Sequence, residues 1–236
     1  MANDDPSYIQ SEQKKITRLV TDRFKTFYLT GGTALSFHFR HRFSEDLDFF
    51  TQEYRREAPG KIMAAISQGT GFPLQLEAEQ NKPGLVPMKI YTLRLKNKGA
   101  LKIDFVQDFS KNIGKIKTGL HSVEDIYLRK IVAATGQASK ESETGRPLPS
   151  GRQNAKDLFD LYYLSTHHKP LVDFFPEHFS ISHAERLVVW YRRFDRLDLK
   201  SDLLDVVPGV DTAAVLQKLD KDILEDLQDA MIDRGI

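Results

Sequence analysis

The sequence has no cysteine among its 236 residues. Disulfide bonds, thiolate metal sites and cysteine nucleophiles are therefore excluded, and the composition fits a reducing compartment. Long apolar runs are also missing, since no stretch approaches the ~20 consecutive apolar residues that a membrane-spanning helix requires. The amino terminus is acidic and no apolar segment follows it, which is unlike a signal peptide. These absences predict a cytoplasmic protein with no membrane partner.

Net charge is nearly absent as well, because 34 Lys and Arg residues oppose 33 Asp and Glu residues. A balance of +1 argues against a protein that coats nucleic acid through bulk electrostatics. The charge is uneven along the chain, however. The segment from Lys89 to Lys117 contains eight basic and two acidic residues, whereas residues 195–236 contain eleven acidic and five basic ones. The basic segment predicts either a surface for a polyanion such as tRNA or a solvated hairpin face.

Local patterns divide the chain into a mixed half and a helical half. Short apolar runs predict strands at 27–30, 46–50, 74–79, 87–96 and 101–107, and helical periodicity predicts helices at 7–26, 33–39 and 57–69. Further helices are predicted at 122–138, 152–166, 183–195 and 211–231, with a hairpin loop at 97–99 and a polar linker at 139–151. We expect an α+β domain at 1–120 and a helical domain at 121–236.

A glycine turn separates the first predicted strand from the helix after it. Gly31 and Gly32 let the backbone approach a ligand closely, and the helix that follows presents free N–H groups to an anion. Thr33 adds a hydroxyl donor at the same place. Because the sequence contains no P-loop, this turn is the candidate phosphate site, although paired glycines also mark ordinary turns.

Two aspartates occupy the second predicted strand. Asp46 and Asp48 are two residues apart, which places both side chains on one face. Adjacent carboxylates repel each other unless a cation lies between them. Mg²⁺ prefers oxygen ligands and commonly combines one or two carboxylates with substrate phosphates. The pair therefore predicts either a metal site or two solvent-facing aspartates on an edge strand.

A third carboxylate lies in the last predicted strand. Asp104 belongs to a run that is apolar apart from Lys102, and an acidic residue in such a run needs a partner. A salt bridge or a partly exposed strand edge would satisfy it. Phosphoryl-group chemistry of this kind also needs a third carboxylate besides Asp46 and Asp48, and Asp104 is the candidate for it.

A lysine interrupts the apolar side of the helix predicted at 122–138. Lys130 lies in the stripe formed by Ile126, Tyr127 and Ala134, where its charge is costly unless it reaches an anion or solvent. A triphosphate is one such anion, and Asp157 is another. We expect the triphosphate to be that anion, so that Lys130→Met preserves or raises stability; if Lys130 instead reaches solvent or pairs with Asp157, the substitution would lower stability or have no effect.

Two stretches carry a family resemblance. The first is Leu-Thr-Gly-Gly-Thr-Ala-Leu at 29–35 with His-Arg-Phe-Ser-Glu-Asp-Leu-Asp-Phe-Phe at 41–50. The second combines residues 128–133 with residues 156–164, so that the match spans about 27–165. These stretches resemble the AbiEii family of nucleotidyltransferase-like proteins, known as toxins of type IV toxin–antitoxin and abortive-infection systems.

The resemblance implies a fold and a set of site residues. The fold is a nucleotidyltransferase-type mixed β-sheet with flanking helices, followed by a helical domain that contributes to the cleft. The implied metal ligands for Mg²⁺ or Mn²⁺ are Asp46, Asp48 and Asp104; the implied nucleotide-binding residues are Gly31, Gly32, Thr33 and Lys130. The same resemblance places Asp157 in the active site, and either Asp104 or Asp157 would be the base.

The implied reaction moves a nucleotidyl group from a nucleoside triphosphate to a hydroxyl of a tRNA-like RNA or of a protein. The protein would act as a toxin with a cognate antitoxin. Two other functions stay open at this point. One is a nucleotide- or partner-binding module without turnover. The other is an enzyme for a small antibiotic-type acceptor, for which the acidic residues from Asp195 onward could form a pocket.

Overall fold

A computed structural model describes residues 6–96, 99–136, 140–141, 147–148 and 151–232. The chain divides into two compact units, Met1–Ile126 and Tyr127–Ile236. No helix in these described ranges is both long enough and apolar enough to cross a membrane.

The first unit contains a five-stranded sheet and helices. In chain order the elements are α1 (Pro6–Arg23), β1 (Tyr28–Thr30), α2 (Gly31–Phe39), β2 (Leu47–Thr51), α3 (Ala58–Thr70), β3 (Leu74–Gln80), β4 (Met88–Arg94), β5 (Ala100–Gln107) and α4 (Val123–Thr135), which continues into the second unit. The strand order is β1-β2-β5-β4-β3. Only β2 and β5 run parallel among these pairs, and the predicted mixed α+β fold is confirmed.

Strand alternation gives the sheet one buried face. Leu47 and Phe49 of β2 and Ile103 and Phe105 of β5 are fully buried, and the rings of Phe49 and Phe105 stack with centroids 5.6 Å apart. Burying a side chain of this size contributes about 1.5–3 kcal/mol. The intervening residues of both strands therefore point to the opposite face, and this alternation determines which side chains can form a site there.

The second unit is built from helices. They are α5 (Ala155–His167), α6 (Leu171–His178), α7 (Ile181–Arg192), α8 (Arg196–Val206), α9 (Thr212–Leu219), a π-helical turn (Asp220–Asp226) and α10 (Leu227–Ile232). Trp190 is fully buried and its indole N–H donates to the carbonyl of Arg152 over 2.9 Å. Tyr127 and Phe174 stack with ring centroids 4.2 Å apart. These aromatic side chains are part of a core that also contains many buried aliphatic residues, among them Leu164, Leu187 and Leu203.

Two helices of this unit were absent from the sequence prediction. Pro176 lies inside α6, where its ring and missing N–H argue against a helix. The leucines of α8 are not confined to one side, since Leu197 is 77% exposed whereas Leu203 is buried. Apolar periodicity is therefore lacking in α8, whereas in α6 the buried residues Leu171, Phe174 and Phe175 do lie on one side and the proline obscured the helix.

The predicted polar linker contains two short strands, β6 (Lys140–Glu141) and β7 (Pro147–Leu148), which pair antiparallel. Linker residues 139, 142–146 and 149–150 lie outside the described residues, as do residues 137 and 138 at the end of the helix predicted at 122–138. So do residues 97 and 98 of the predicted hairpin loop. The backbone N–H of Leu95 donates to the carbonyl of Gly99 over 2.8 Å, across that loop.

Candidate active site

The sheet register brings two of the predicted aspartates side by side. Asp48 of β2 pairs with Asp104 of the parallel strand β5, and on its other side Asp48 pairs with Thr30 of β1. Residues paired in this way point to the same face of the sheet. Asp46 precedes Asp48 by two residues and lies directly before the first residue of β2. The face opposite the apolar core therefore carries a cluster of carboxylates.

The three carboxylates differ in their surroundings. Asp46 is exposed, Asp48 is half-buried and Asp104 is 9% exposed. Lys102, two residues before Asp104 on β5, donates to Asp104 Oδ2 over 2.7 Å. The other oxygen, Asp104 Oδ1, is buried and has no hydrogen-bond partner among the described residues. One buried acceptor of the cluster is thus free to receive a ligand.

Burial and charge shift the titration of two groups in the cluster. Burial raises the pKa of Asp104, and the negative charge of Asp46 adds to that rise, while Lys102 opposes it. For Lys102, burial lowers the pKa, but the hydrogen bond to Asp104 and the charges of the aspartates outweigh it and raise the pKa overall. The cluster therefore holds more negative charge than Lys102 alone neutralises, which favours a further cation.

The donor chemistry of this cluster fits a hard divalent cation. It offers carboxylate oxygens only, including the unpartnered buried Oδ1 of Asp104. Among the described residues, no three histidine, aspartate or glutamate side chains already converge as a metal site. That is compatible with Mg²⁺, which usually takes one or two carboxylates and completes its octahedron with waters and substrate phosphates.

Gly31 lies directly against the carboxylate of Asp48. A Cβ atom on Gly31 would be 2.5 Å from Asp48 Oδ2, and the φ angle of Gly31 is +71°, in the left-handed region that favours glycine. Helix α2 begins at this residue, two positions before the predicted start. The glycine turn thus lets the amino-terminal end of α2 and the carboxylate cluster approach each other.

Gly32 and Thr33 make contacts of a different kind. A Cβ atom on Gly32 would be 2.5 Å from Arg42 Nη2 and 3.0 Å from Ser44 Oγ. The hydroxyl of Thr33, itself buried, donates to the backbone carbonyl of Asp46. In this structure Thr33 therefore positions the start of β2, and its predicted contact with a phosphate stays a prediction.

Several residues that support this region were not singled out from the sequence as site residues. Arg42 is 7% exposed and reaches back to Gly32. The side-chain amide of Gln13 in α1 donates to the carbonyls of Ser44 and Glu45, over 2.8 and 2.9 Å, and so holds the loop before Asp46. Arginine in a basic segment and glutamine in an amphipathic helix carry no distinctive sequence signal, which explains why the sequence did not reveal them.

A buried polar network contacts β1 at Thr30. The imidazole of His121 is fully buried, and its Nδ1 atom is 2.9 Å from the hydroxyl of Thr30, the residue next to Asp48 in the sheet. Its Nε2 atom is 3.1 Å from Asn112 Oδ1, and Asp125 binds the backbone N–H groups of the same loop. The network connects the 108–121 loop to the edge of the carboxylate face.

In the second unit, Lys130 is paired with two aspartates. Its ammonium is 2.7 Å from Asp157 Oδ1 and 2.7 Å from Asp160 Oδ2, and all three side chains are buried. Arg152 adds a second ion pair to Asp157 at 2.7 Å. The charge of Lys130 is therefore satisfied within the protein, and the expectation that Lys130→Met preserves stability is revised. Roles for Lys130 and Asp157 at the nucleotide stay predictions.

Two solved structures with TM-scores above 0.5 share the fold of this chain. JHP933 from Helicobacter pylori has 19% identity and a TM-score of 0.59, with 99% of this chain and 97% of that chain covered. A candidate nucleotidyltransferase from H. pylori has 21% identity and a TM-score of 0.52, covering 96% and 93%. MenT4, a nucleotidyltransferase toxin from Mycobacterium tuberculosis, has 11% identity and a TM-score of 0.43, covering 95% and 93%.

The sequence profile of one family covers most of the chain. The search of curated protein sequences found no match to this chain. The profile described as nucleotidyl transferase AbiEii toxin of type IV toxin–antitoxin systems matches residues 18–233, which include the glycine turn and the carboxylate cluster. A match of this extent, on a fold that has the parallel Asp48–Asp104 pair, is sufficient to conclude that the chain belongs to the AbiEii nucleotidyltransferase toxin family.

Proposed function

We propose that this nucleotidyltransferase moves a nucleotidyl group from a nucleoside triphosphate to a hydroxyl of an RNA, with Mg²⁺ or Mn²⁺ at Asp46, Asp48 and Asp104. The observation that carries the proposal is the pairing of Asp48 with Asp104 on one sheet face, with the buried Oδ1 of Asp104 unpartnered among the described residues. When bound, the cation neutralises charge on the attacking and leaving oxygens.

Residues of the chain would accept the proton and bind the phosphates. The acceptor oxygen forms a bond to the α-phosphorus, the bond from that phosphorus to the bridging oxygen breaks, and pyrophosphate leaves. The acceptor proton would pass to a carboxylate of the chain, either Asp104 or Asp157. Gly31 and Gly32, at the amino-terminal end of α2, would bind phosphate through backbone N–H groups.

The family supports a cellular setting for this reaction. As a toxin of a type IV system, the protein would act in the cytoplasm and be countered by a cognate antitoxin. We also propose that the chain consists of an α+β domain at 1–120 and a helical domain at 121–236. In this proposal Lys130 and Asp157 of the helical domain contribute to nucleotide binding.

The test is incubation of the protein with each labelled nucleoside triphosphate, Mg²⁺ and total RNA. We expect label from one triphosphate to enter RNA, and an Asp48→Asn protein to transfer none. A triphosphate with Mg²⁺ should also raise the melting temperature, because a ligand that binds only the folded state stabilises it. Label in protein or in a small molecule would contradict the RNA acceptor. Label nowhere, with a melting shift, would indicate binding without turnover.

Substitution of Gly31 tests whether the close approach of the glycine turn to the Asp48 carboxylate is needed for activity. Gly31→Ala should lower the melting temperature and reduce transfer at least tenfold, because the new methyl group would displace the Asp48 carboxylate. Gly71→Ala is the matched control: Gly71 has the same φ angle of +71° and nothing within 4 Å of the added Cβ. The control should lose stability through backbone strain alone and keep its activity. Equal activity in both variants would show that the contact with Asp48 has no role.

A further inference from the structure

A second feature of the first unit is a cavity of about 540 Å³ between α1 and the carboxy-terminal half of α2. We call it the α1–α2 pocket, and it is lined by Gln10, Lys14, Phe37, Arg40, Arg42 and Phe43, together with Ser36. Three of these residues are cationic and none is acidic. Gln10 and Lys14 are one helical turn apart on α1, so they present donors on the same side of that helix.

Two of the pocket's charges are not used by the fold. Lys14 and Arg40 are exposed, and neither forms an ion pair within the part of the chain that the structure describes. Arg42 is different, because it is buried and its backbone carbonyl accepts a hydrogen bond from the Ser36 hydroxyl over 2.8 Å. The pocket therefore combines one fixed guanidinium with two exposed cations, an arrangement that suits an anion from solvent.

Arg40 occupies a backbone position that favours another residue. It ends α2 with φ 55° and ψ 32°, the left-handed conformation that glycine or asparagine adopts most readily after a helix. An arginine there strains the backbone, and strain of this kind is commonly found where the side chain has a function. Arg40 lines the pocket, so the pocket is a candidate for that function.

The pocket also offers apolar surfaces beside its charges. Phe37 and Phe43 both line the pocket and are both half-buried, so part of each side chain stays accessible. Exposed aromatic rings next to cationic groups are the combination by which proteins bind single-stranded nucleic acid, since bases stack on the rings and phosphates meet the cations. Binding of inorganic phosphate alone would not require aromatic rings.

Arg42 connects this pocket to the candidate active site. It lines the pocket, and its Nη2 atom is 2.5 Å from the position that a Cβ atom on Gly32 would take. The neighbouring Gly31 abuts the carboxylate of Asp48. A strand bound in the pocket is therefore separated from the carboxylate cluster by a single arginine side chain and the glycine turn.

We propose that the α1–α2 pocket binds the acceptor, as a phosphate and an adjacent unpaired base of a single-stranded RNA end that leads to the carboxylate cluster. The proposal rests on the proposed function for its RNA acceptor, and it adds the surface that holds that acceptor. It makes the pocket a site for the RNA strand and assigns the triphosphate to the glycine turn.

The test measures anisotropy of a fluorescein-labelled single-stranded RNA with the full chain, without nucleotide or metal. Lys14→Glu should weaken binding about tenfold, the scale of one charge-assisted hydrogen bond. The slope of log affinity against log salt should fall by about 0.7 for the lost phosphate contact. Arg40→Gly should weaken binding while the melting temperature holds or rises, because glycine accepts the left-handed backbone. Lys61→Glu, at an exposed position of α3 outside the pocket, should change affinity less than twofold.

Three results would overturn the proposal. They are no binding of the single strand by the unmodified protein, equal affinities in the pocket variants and the Lys61 control, and loss of triphosphate affinity in the pocket variants with RNA affinity retained. Label transfer is measured separately. Pocket-dependent RNA binding without any transfer would refute the proposed transferase function and leave the pocket assignment standing, so the two failures are distinguishable.

Discussion

Asp48→Asn is expected to reduce nucleotidyl transfer at least a hundredfold while the fold stays intact. The substitution keeps the shape of the side chain but removes a negative charge beside Asp104. A carboxylate that helps to hold a catalytic cation contributes several kcal/mol to transition-state stabilisation, and each 1.36 kcal/mol corresponds to about a tenfold change in rate. Label transfer measured alongside the far-ultraviolet circular dichroism spectrum checks both parts of the expectation.

The stability of the same variant supplies a second readout. Because Asp48 lies next to another carboxylate, removing its charge should leave the melting temperature unchanged or raise it when no metal is present. Glu77→Gln, on the exposed strand β3, is the matched control, since it neutralises a carboxylate of the same sheet away from the cluster. An Asp48→Asn protein that transfers label at the normal rate would show that the Asp48 carboxylate has no role in the reaction. A variant that unfolds would show that Asp48 has a structural role.

Lys130→Met is expected to have the largest effect on stability. The ammonium pairs with Asp157 and Asp160 at 2.7 Å each, and the lysine side chain is only 8% exposed. Removing one partner of a buried ion pair costs about 3–5 kcal/mol, because the remaining charge stays buried. Arg152 still neutralises Asp157, so we expect about 3 kcal/mol, equivalent to a fall in melting temperature of roughly 10 °C.

A second substitution distinguishes charge from packing. Adding Asp160→Asn to Lys130→Met removes the carboxylate that the lysine no longer neutralises, and it should recover much of the lost stability. If the double variant is no more stable than the single one, the lysine acts through its packing. Triphosphate affinity of the double variant then tests the separate prediction that Lys130 also binds phosphate, because its folding defect is reduced.

The carboxylate cluster was predictable from sequence because its residues carry local signals. Asp46 and Asp48 lie on one face by simple strand alternation, and Asp104 is conspicuous within an apolar strand. Alternation assigns a face but not a neighbour, however. That β5 pairs with β2, and that the two run parallel, depends on contacts between residues distant in sequence, which no local pattern encodes.

The partner of Lys130 illustrates the same limit. The sequence indicated that a buried lysine needs an anion, and it left a triphosphate and Asp157 as alternatives. The choice depends on how α4 and α5 pack, which brings together side chains 27 residues apart. The strained backbone of Arg40 could not be predicted from sequence either. Its left-handed conformation depends on α2 ending at Phe39, and no local pattern fixes that end.

The parallel pairing of β2 with β5 also has a consequence for synthesis of the protein. Asp48 and Asp104 are 56 residues apart, and closing a loop of this length costs about 3–4 kcal/mol of chain entropy. Contacts of such long sequence separation slow folding and form late. A nascent chain that still lacks β5 carries Asp46 and Asp48 without Asp104, so under the proposed function we expect a ribosome-bound or truncated chain to transfer no nucleotide until that strand has emerged and docked.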